Sequence, residues 1–169
     1  MIIHDYCKNC PYYLINMADK GSLSKEDNGS DTILVFQSPG RKEWVNKKPL
    51  SSDSPRSCNG IVSRSWERTG RKREEFDITN AVQCYPGQDQ KTKRDLPPDP
   101  KAVEQCLYCL EKEILSKKYK IVIAFGKTAE KSVNRIVEKH NLDTIVINSK
   151  HPVAGVIKRD IDNLWTKKQ

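Results

Sequence analysis

The apolar positions of the chain fall into short, unbroken runs separated by longer amphipathic stretches. Thr32-Ile33-Leu34-Val35-Phe36 is apolar without alternation and rich in β-branched residues, the pattern of a strand covered on both faces. Phe76 to Val82, Tyr119 to Phe125 and Thr144 to Asn148 repeat it. Between them the period lengthens to that of a helix. Asn59 to Thr69 reads as a helix closed by Gly70. Lys101 to Lys117 reads as a long amphipathic helix with Asp99 as its N-cap and Pro100 as its first residue. Thr128 caps a helix running to about His140, and Val153 to Trp165 forms the last. Tyr12 to Ala18 suits a short helix, while Asp19 to Asp31 and Tyr85 to Pro100 are polar and read as loops.

Strands alternating with helices predict one domain over residues 1–169, a three-layer α/β/α sandwich around a four-stranded parallel sheet. In such sheets the functional loops leave the carboxyl ends of the strands. Gln37–Gly40, Asn80–Pro86, Gly126–Thr128 and Ser149–Pro152 then share one rim. The longest apolar run, Ile121 to Phe125, is far too short to cross a bilayer. Met1-Ile2-Ile3-His4-Asp5 has neither the basic start nor the apolar core of a signal peptide. A cytoplasmic protein is expected, in which cysteines hold metal or stay reduced. Lys and Arg outnumber Asp and Glu by 30 to 22, and the net charge of +8 favours an anionic partner, nucleic acid first.

Six cysteines narrow the chemistry. The close pair Cys7 and Cys10, with the distant Cys84 and Cys106, supplies four thiolates, which suits a [4Fe–4S] cluster or a tetrahedral zinc. Cys106 and Cys109 also form a Cys-x-x-Cys, so Cys7/Cys10 with Cys106/Cys109 is a rival zinc set. That second pair lies mid-helix and leaves Cys84 without a role. Cys58 and Cys109 otherwise read as ordinary buried thiols.

The rim segments read Phe36-Gln37-Ser38-Pro39-Gly40, Thr79-Asn80-Ala81-Val82-Gln83-Cys84-Tyr85-Pro86, Gly126-Lys127-Thr128-Ala129 and His151-Pro152. In order and position they resemble the motifs of the iron–sulfur, family 4 branch of the uracil-DNA glycosylase superfamily, over nearly the whole chain. The resemblance implies a structural [4Fe–4S] cluster on Cys7, Cys10, Cys84 and Cys106. It implies that His151 donates to O2 of a departing pyrimidine and that Asn80 reads O4 and N3–H. Gln37, Ser38, Pro39, Gly40, Leu50, Asn80 and His151 would form the base pocket, with Trp44 near its mouth. Val153 to Ile157 would wedge into the base stack.

Two departures stand out. Gln37 occupies a position where relatives carry an acidic or amide residue that positions water; Glu43 and Asp53 are the nearby carboxylates, Asp53 reading as an exposed loop charge. Leu50 stands where a stacking phenylalanine is expected, amid Ser51 and Ser52, which points to a substrate bulkier than uracil. The loop from Cys84 to Cys106 is also long and contains no histidine.

The function implied is a monofunctional DNA glycosylase, acting as a monomer, that flips out uracil or another modified pyrimidine, a bulky 5-substituted base among them, hydrolyses its N-glycosidic bond and leaves an abasic site. No lysine is placed as a Schiff-base nucleophile. The DNA grip is expected from Arg64, Arg68, Arg71, Lys72 and Arg73, from Lys91, Lys93 and Arg94, and from Lys150, Lys158 and Arg159. Trp66 and Trp165 read as core residues. The competing readings are a lesion-binding protein that has lost catalysis and an iron–sulfur or zinc scaffold.

Overall fold

The computed structural model describes residues 5–13 and 22–166. Its centre is a four-stranded parallel sheet in the order β2-β1-β3-β4, formed by β1 (Thr32–Phe36), β2 (Asp77–Asn80), β3 (Ile121–Phe125) and β4 (Ile145–Ser149). The helices are α1 (Arg41–Asn46), α2 (Cys58–Thr69), α3 (Pro100–Leu115), α4 (Lys127–His140) and α5 (Lys158–Thr166).

Because side chains alternate across a strand, each strand feeds two cores. Leu34, Phe36, Ile78, Ile123 and Phe125 face one side and pack with Val62 and Trp66 of α2 and Ile161 and Trp165 of α5. Ile33, Val35, Val122 and Ala124 face the other, against Leu110 and Ile114 of α3 and Val133 and Ile136 of α4. The first core is aromatic. Phe36 stacks on Phe125 with centroids 4.6 Å apart, and Trp66 on Phe76 at 5.2 Å. Trp165 donates its indole N–H to Ser65 Oγ at 2.8 Å.

The four strands and their parallel order match the expectation. Four local features differ. Strand β2 stops at Asn80, yet the N–H groups of Ala81 and Val82 still reach the Phe36 and Gln37 carbonyls at 2.7 and 3.0 Å, so the chain stays pinned to β1. Gly126, not Thr128, caps α4; at φ 87° it holds the left-handed half of the map that favours glycine. The last helix begins at Lys158, because residues 151–157 turn instead, with Ala154 N–H donating to the His151 carbonyl. Helix α1 is short, with a single buried side chain, Trp44, so it carries too little periodicity to be read. The short helix expected from Tyr12 falls mostly outside the described residues.

The amino-terminal rim of the sheet is closed by a buried ionic network. Asp77, fully buried, takes hydrogen bonds from Tyr119 Oη (2.5 Å), Asn28 N (2.8 Å) and Ser30 N (3.1 Å), and pairs with Lys117 Nζ at 2.6 Å and Lys25 Nζ at 3.8 Å. Burial pushes its carboxyl upward, but Lys117, Tyr119 and the two backbone donors hold it below the ordinary value.

Candidate active site at the carboxyl rim

A cleft of about 730 Å³ opens at the carboxyl ends of the strands. The Gln37–Gly40 turn after β1, the first turns of α1 and α2, the loop at residues 88–97 and His151 after β4 all line it.

His151 owes its place to Gly126. A Cβ on that glycine would lie 3.3 Å from His151 Cβ and 3.5 Å from Cδ2, so the ring packs where a side chain would otherwise be. Burial lowers the imidazole below its usual 6.5 and keeps the ring neutral at neutral pH. Nε2 lies 3.6 Å from Cys58 Sγ, the first residue of α2. Cys58 is therefore part of the cleft wall, and burial together with the nearby Glu43 pushes its thiol up to about 12. It stays a thiol, not a nucleophilic thiolate.

Gln37, Ser38, Pro39 and Gly40 all line the cleft. The Gln37 amide makes only a long contact, 3.4 Å from Nε2 to Thr128 Oγ1. Glu43 also lines the cleft, but its carboxylate accepts the Gly40 N–H at 2.7 Å and the backbone N–H groups of Leu50 and Ser51. Burial raises it in spite of those bonds. Its work is to hold the two loops together.

Leu50 does not reach the cleft; it is 1% exposed, at φ 48°, and packs in the aromatic core. Trp44 is likewise buried and off the cleft lining, with Lys47 Nζ 3.9 Å above its ring. Asp53 is exposed and paired with Lys42 at 3.0 Å. Asn80 ends β2 in register with Phe36, 3% exposed, and its amide nitrogen has no partner. A buried donor left unpaired costs about 1–3 kcal/mol, a cost a strand-end turn residue has no reason to carry.

The cleft residue Asp95 and the tyrosine that holds it carry no signal in the sequence. Asp95, in the loop before α3, lies beside Gly40, and Tyr85 Oη donates to its Oδ1 at 2.7 Å.

The cysteines gather on the sheet's flank. A turn at Asp5–Asn9 brings Cys7 and Cys10 against α3, and Tyr12 Oη accepts the Asp99 N–H at 2.6 Å. Cys10, Cys106 and Cys84 share one packed cluster. The Cys84 thiol is pushed up to about 12 by burial and by its neighbours Cys10, Cys7 and Cys109. Cys106 is raised by burial and by Cys84, Cys109 and Cys10. Backbone groups of Tyr12 and Tyr13 bond to the Cys10 sulfur, and that of Gln83 to Cys106. The six cysteines are thiols, not disulfides. Among the described residues, no group of three or more His, Cys, Asp or Glu side chains is drawn tight enough to hold a single metal ion. The donor set still fits a four-thiolate group: Cys10 and Cys106 are buried and Cys7 and Cys84 half-buried, neighbouring sulfurs disfavour one another's charged forms, and Cys10 and Cys106 receive backbone bonds that favour the charged form.

The basic residues divide. Arg41, Lys42, Lys93 and Arg94 line the cleft. Lys150 follows β4, and Lys158 and Arg159 open α5, all exposed, as are Arg64 in mid-α2 and Lys91 at the loop tip. Helix α2, however, runs from the cleft to Gly70, about 18 Å at 1.5 Å per residue. Arg71, Lys72 and Arg73 therefore sit at the opposite rim. Arg73 is consumed by Glu26 (2.7 and 2.9 Å) and by the Pro49 and Leu50 carbonyls (2.6 Å each). Arg71 pairs with Glu75 at 3.4 Å, and Arg68 is bonded to Asp162 at 2.8 and 3.0 Å. Distance from the cleft and internal pairing remove these from a grip centred there.

A family model described as the uracil DNA glycosylase superfamily matches residues 25–167. A type-4 uracil-DNA glycosylase of Pyrobaculum aerophilum is 24% identical over 136 residues, which is 80% of this chain and 64% of that relative. The chain thus spans somewhat under two thirds of the relative's length. Among the described residues no helix is long and apolar enough to cross a membrane.

Proposed function

The chain belongs to the uracil DNA glycosylase superfamily, and from that footing we propose that it is a monofunctional DNA glycosylase that hydrolyses the N-glycosidic bond of a flipped pyrimidine. The observation that carries this reading is His151: a neutral imidazole in a cleft at the carboxyl rim, with a glycine cut away to seat it. Bond cleavage puts cationic character on the sugar and negative charge on the departing base. A preorganised neutral donor aimed at the base oxygen stabilises that charge as it forms. Asn80 supplies donor and acceptor for the pyrimidine edge once a flipped base reaches it, which accounts for its unpaired amide. Lys42, Lys93, Arg94, Lys150, Lys158 and Arg159 hold the phosphates, and exposed Val153 beside His151 enters the base stack.

The substrate in this reading carries a 5-substituent. A cleft of about 730 Å³ far exceeds a pyrimidine ring, and its wall offers the small polar residues Ser52 and Ser57 and no Phe, Tyr or Trp. Purified protein should be offered duplexes bearing uracil, hypoxanthine and 5-substituted cytosines or uracils, with alkali used to cleave abasic products. Excision of the substituted bases ahead of uracil is expected. His151→Ala should lower the single-turnover rate about 10²–10³-fold with duplex affinity nearly intact. Rapid excision confined to uracil overturns the substrate class, and an unchanged rate for His151→Ala removes it from the chemistry.

Cys7, Cys10, Cys84 and Cys106 would hold a [4Fe–4S] cluster, supported by the packing of Cys10, Cys84 and Cys106 together and by the proximity of Cys7 to Cys84. Bound there, the cluster supplies a structural tie, since hydrolysis moves no electron. The thiolates join the N-terminal turn, the exit of β2 and α3. Anaerobically purified protein should be brown, and Cys84→Ala or Cys106→Ala should bleach it while Cys58→Ala does not. Colourless protein with one zinc per chain overturns the assignment.

A further inference from the structure

Hydrolysis needs a group that orients water and takes its proton, and Gln37 cannot accept one. Of the residues lining the cleft, two are carboxylic, Glu43 and Asp95. Glu43 is committed to three backbone N–H groups. Asp95 is not so committed. Tyr85 Oη holds its Oδ1 at 2.7 Å, and its Oδ2 lies 3.0 Å from the point a Cβ on Gly40 would occupy. The missing side chain at Gly40 thus leaves the space beside this oxygen open, on the same turn that carries Gln37.

The carriage of Asp95 is well defined. Gln88 and Asp95 pair as an isolated antiparallel bridge, Leu96 N–H reaches the Gly87 carbonyl and Asp89 N–H the Arg94 carbonyl, each at 2.9 Å. The Asp89 carboxylate caps the turn by accepting from Lys91 N (3.0 Å) and Thr92 N (2.6 Å). A small hairpin, inserted between β2 and α3, therefore delivers one carboxylate to the cleft, together with two cations, Lys93 and Arg94.

Resting on the glycosylase reading above, we infer that Asp95 is the carboxylate that orients and deprotonates the attacking water, with Tyr85 as its positioning residue. The water oxygen bonds to C1′ as the C1′–N bond breaks, and that bond's electron pair leaves with the base. The water's proton passes to Asp95 Oδ2 and then to solvent. The base anion, hydrogen-bonded to His151, takes a proton from solvent. No oxidant or further reactant enters. The first-strand turn shapes the pocket, and the catalytic acid–base group arrives from the inserted hairpin.

Asp95→Asn tests this, because it keeps the shape and the Tyr85 bond while losing basicity. On the best substrate of the panel, the single-turnover rate should fall about 10²–10³-fold, within the range for a lost general base. Duplex affinity and melting temperature should stay unchanged, since Asp95 is exposed. Tyr85→Phe, which frees the carboxylate without removing it, should give a smaller loss. A rate within threefold of wild type for Asp95→Asn overturns the inference, as does a rate loss matched by an equal loss of affinity, the mark of a role in binding alone. Wild-type excision with Asp95→Asn equally fast sinks this inference alone. Wild-type protein that excises none of the bases sinks the glycosylase reading, and this inference with it.

Discussion

The two rims of one sheet treat polar groups in opposite ways. At the amino end Asp77 has five partners and neighbours a second saturated carboxylate, Glu113, which accepts from Lys25 N, Thr79 Oγ1 and Gln83 Nε2. Asp77 and Glu113 are both answered from within the chain. At the carboxyl end Asn80 keeps an unpaired amide, Gln37 touches Thr128 only at 3.4 Å, and His151 faces a thiol. Buried polar groups are paired in most proteins, and the exceptions call for a reason. The contrast teaches that polarity at the first rim specifies the fold, whereas at the second it is held open for something outside the chain.

Replacing a member of the closed rim should therefore cost stability and spare chemistry. Asp77→Ala leaves Lys117 and Lys25 facing an empty, buried position, and breaking such a pair costs about 3–5 kcal/mol. Urea unfolding of the purified protein checks this; a loss under about 1 kcal/mol would dissolve the contrast. The pH dependence has a defined sign. Folding lowers the Asp77 carboxyl, so its stabilisation is fully present above the ordinary value of about 3.9. It drains away as pH falls through the lower folded value. Asp77→Asn should flatten that acid limb.

The mirror experiment is smaller in stability and larger in function. Asn80→Ala removes an amide whose nitrogen has no hydrogen-bond partner, so the packing lost is offset by relief of an unpaired donor. Unfolding free energy should change by less than about 1 kcal/mol, while excision falls at least about tenfold. Equal damage to both would mean that Asn80 belongs to the fold after all.

What the sequence disclosed follows from which forces are local. The doubly buried strands were legible because each is an unbroken apolar run, and α3 because Asp99-Pro100 punctuates its start. The rim loops were legible because a parallel sheet places them together whatever the side chains do. Asp95 was not, since its approach to Gly40 depends on how a polar hairpin folds back, and no periodicity records that. The same holds for Arg73: a guanidinium that clamps Glu26 and two carbonyls has the same sequence signature as one that grips phosphate. Leu50 was misplaced for a related reason, its left-handed backbone turning the side chain into the core.

The smallest expected effect bears directly on those basic residues. Each phosphate neutralised by a Lys or Arg adds about 0.9 to the salt slope of duplex binding. If the grip surrounds the cleft, replacing Lys93 and Arg94 by Ala should lower that slope by about 2, uniformly across sequences. Replacing Arg71 and Lys72 by Ala, at the far rim, should leave it unchanged even though it removes the same two units of charge from a chain of net charge +8. Net charge alone would make all such losses alike, so the measurement separates a positioned contact from diffuse attraction. Equal slopes for the two variants would place the DNA elsewhere on the molecule, and the open rim would then face a ligand other than duplex DNA.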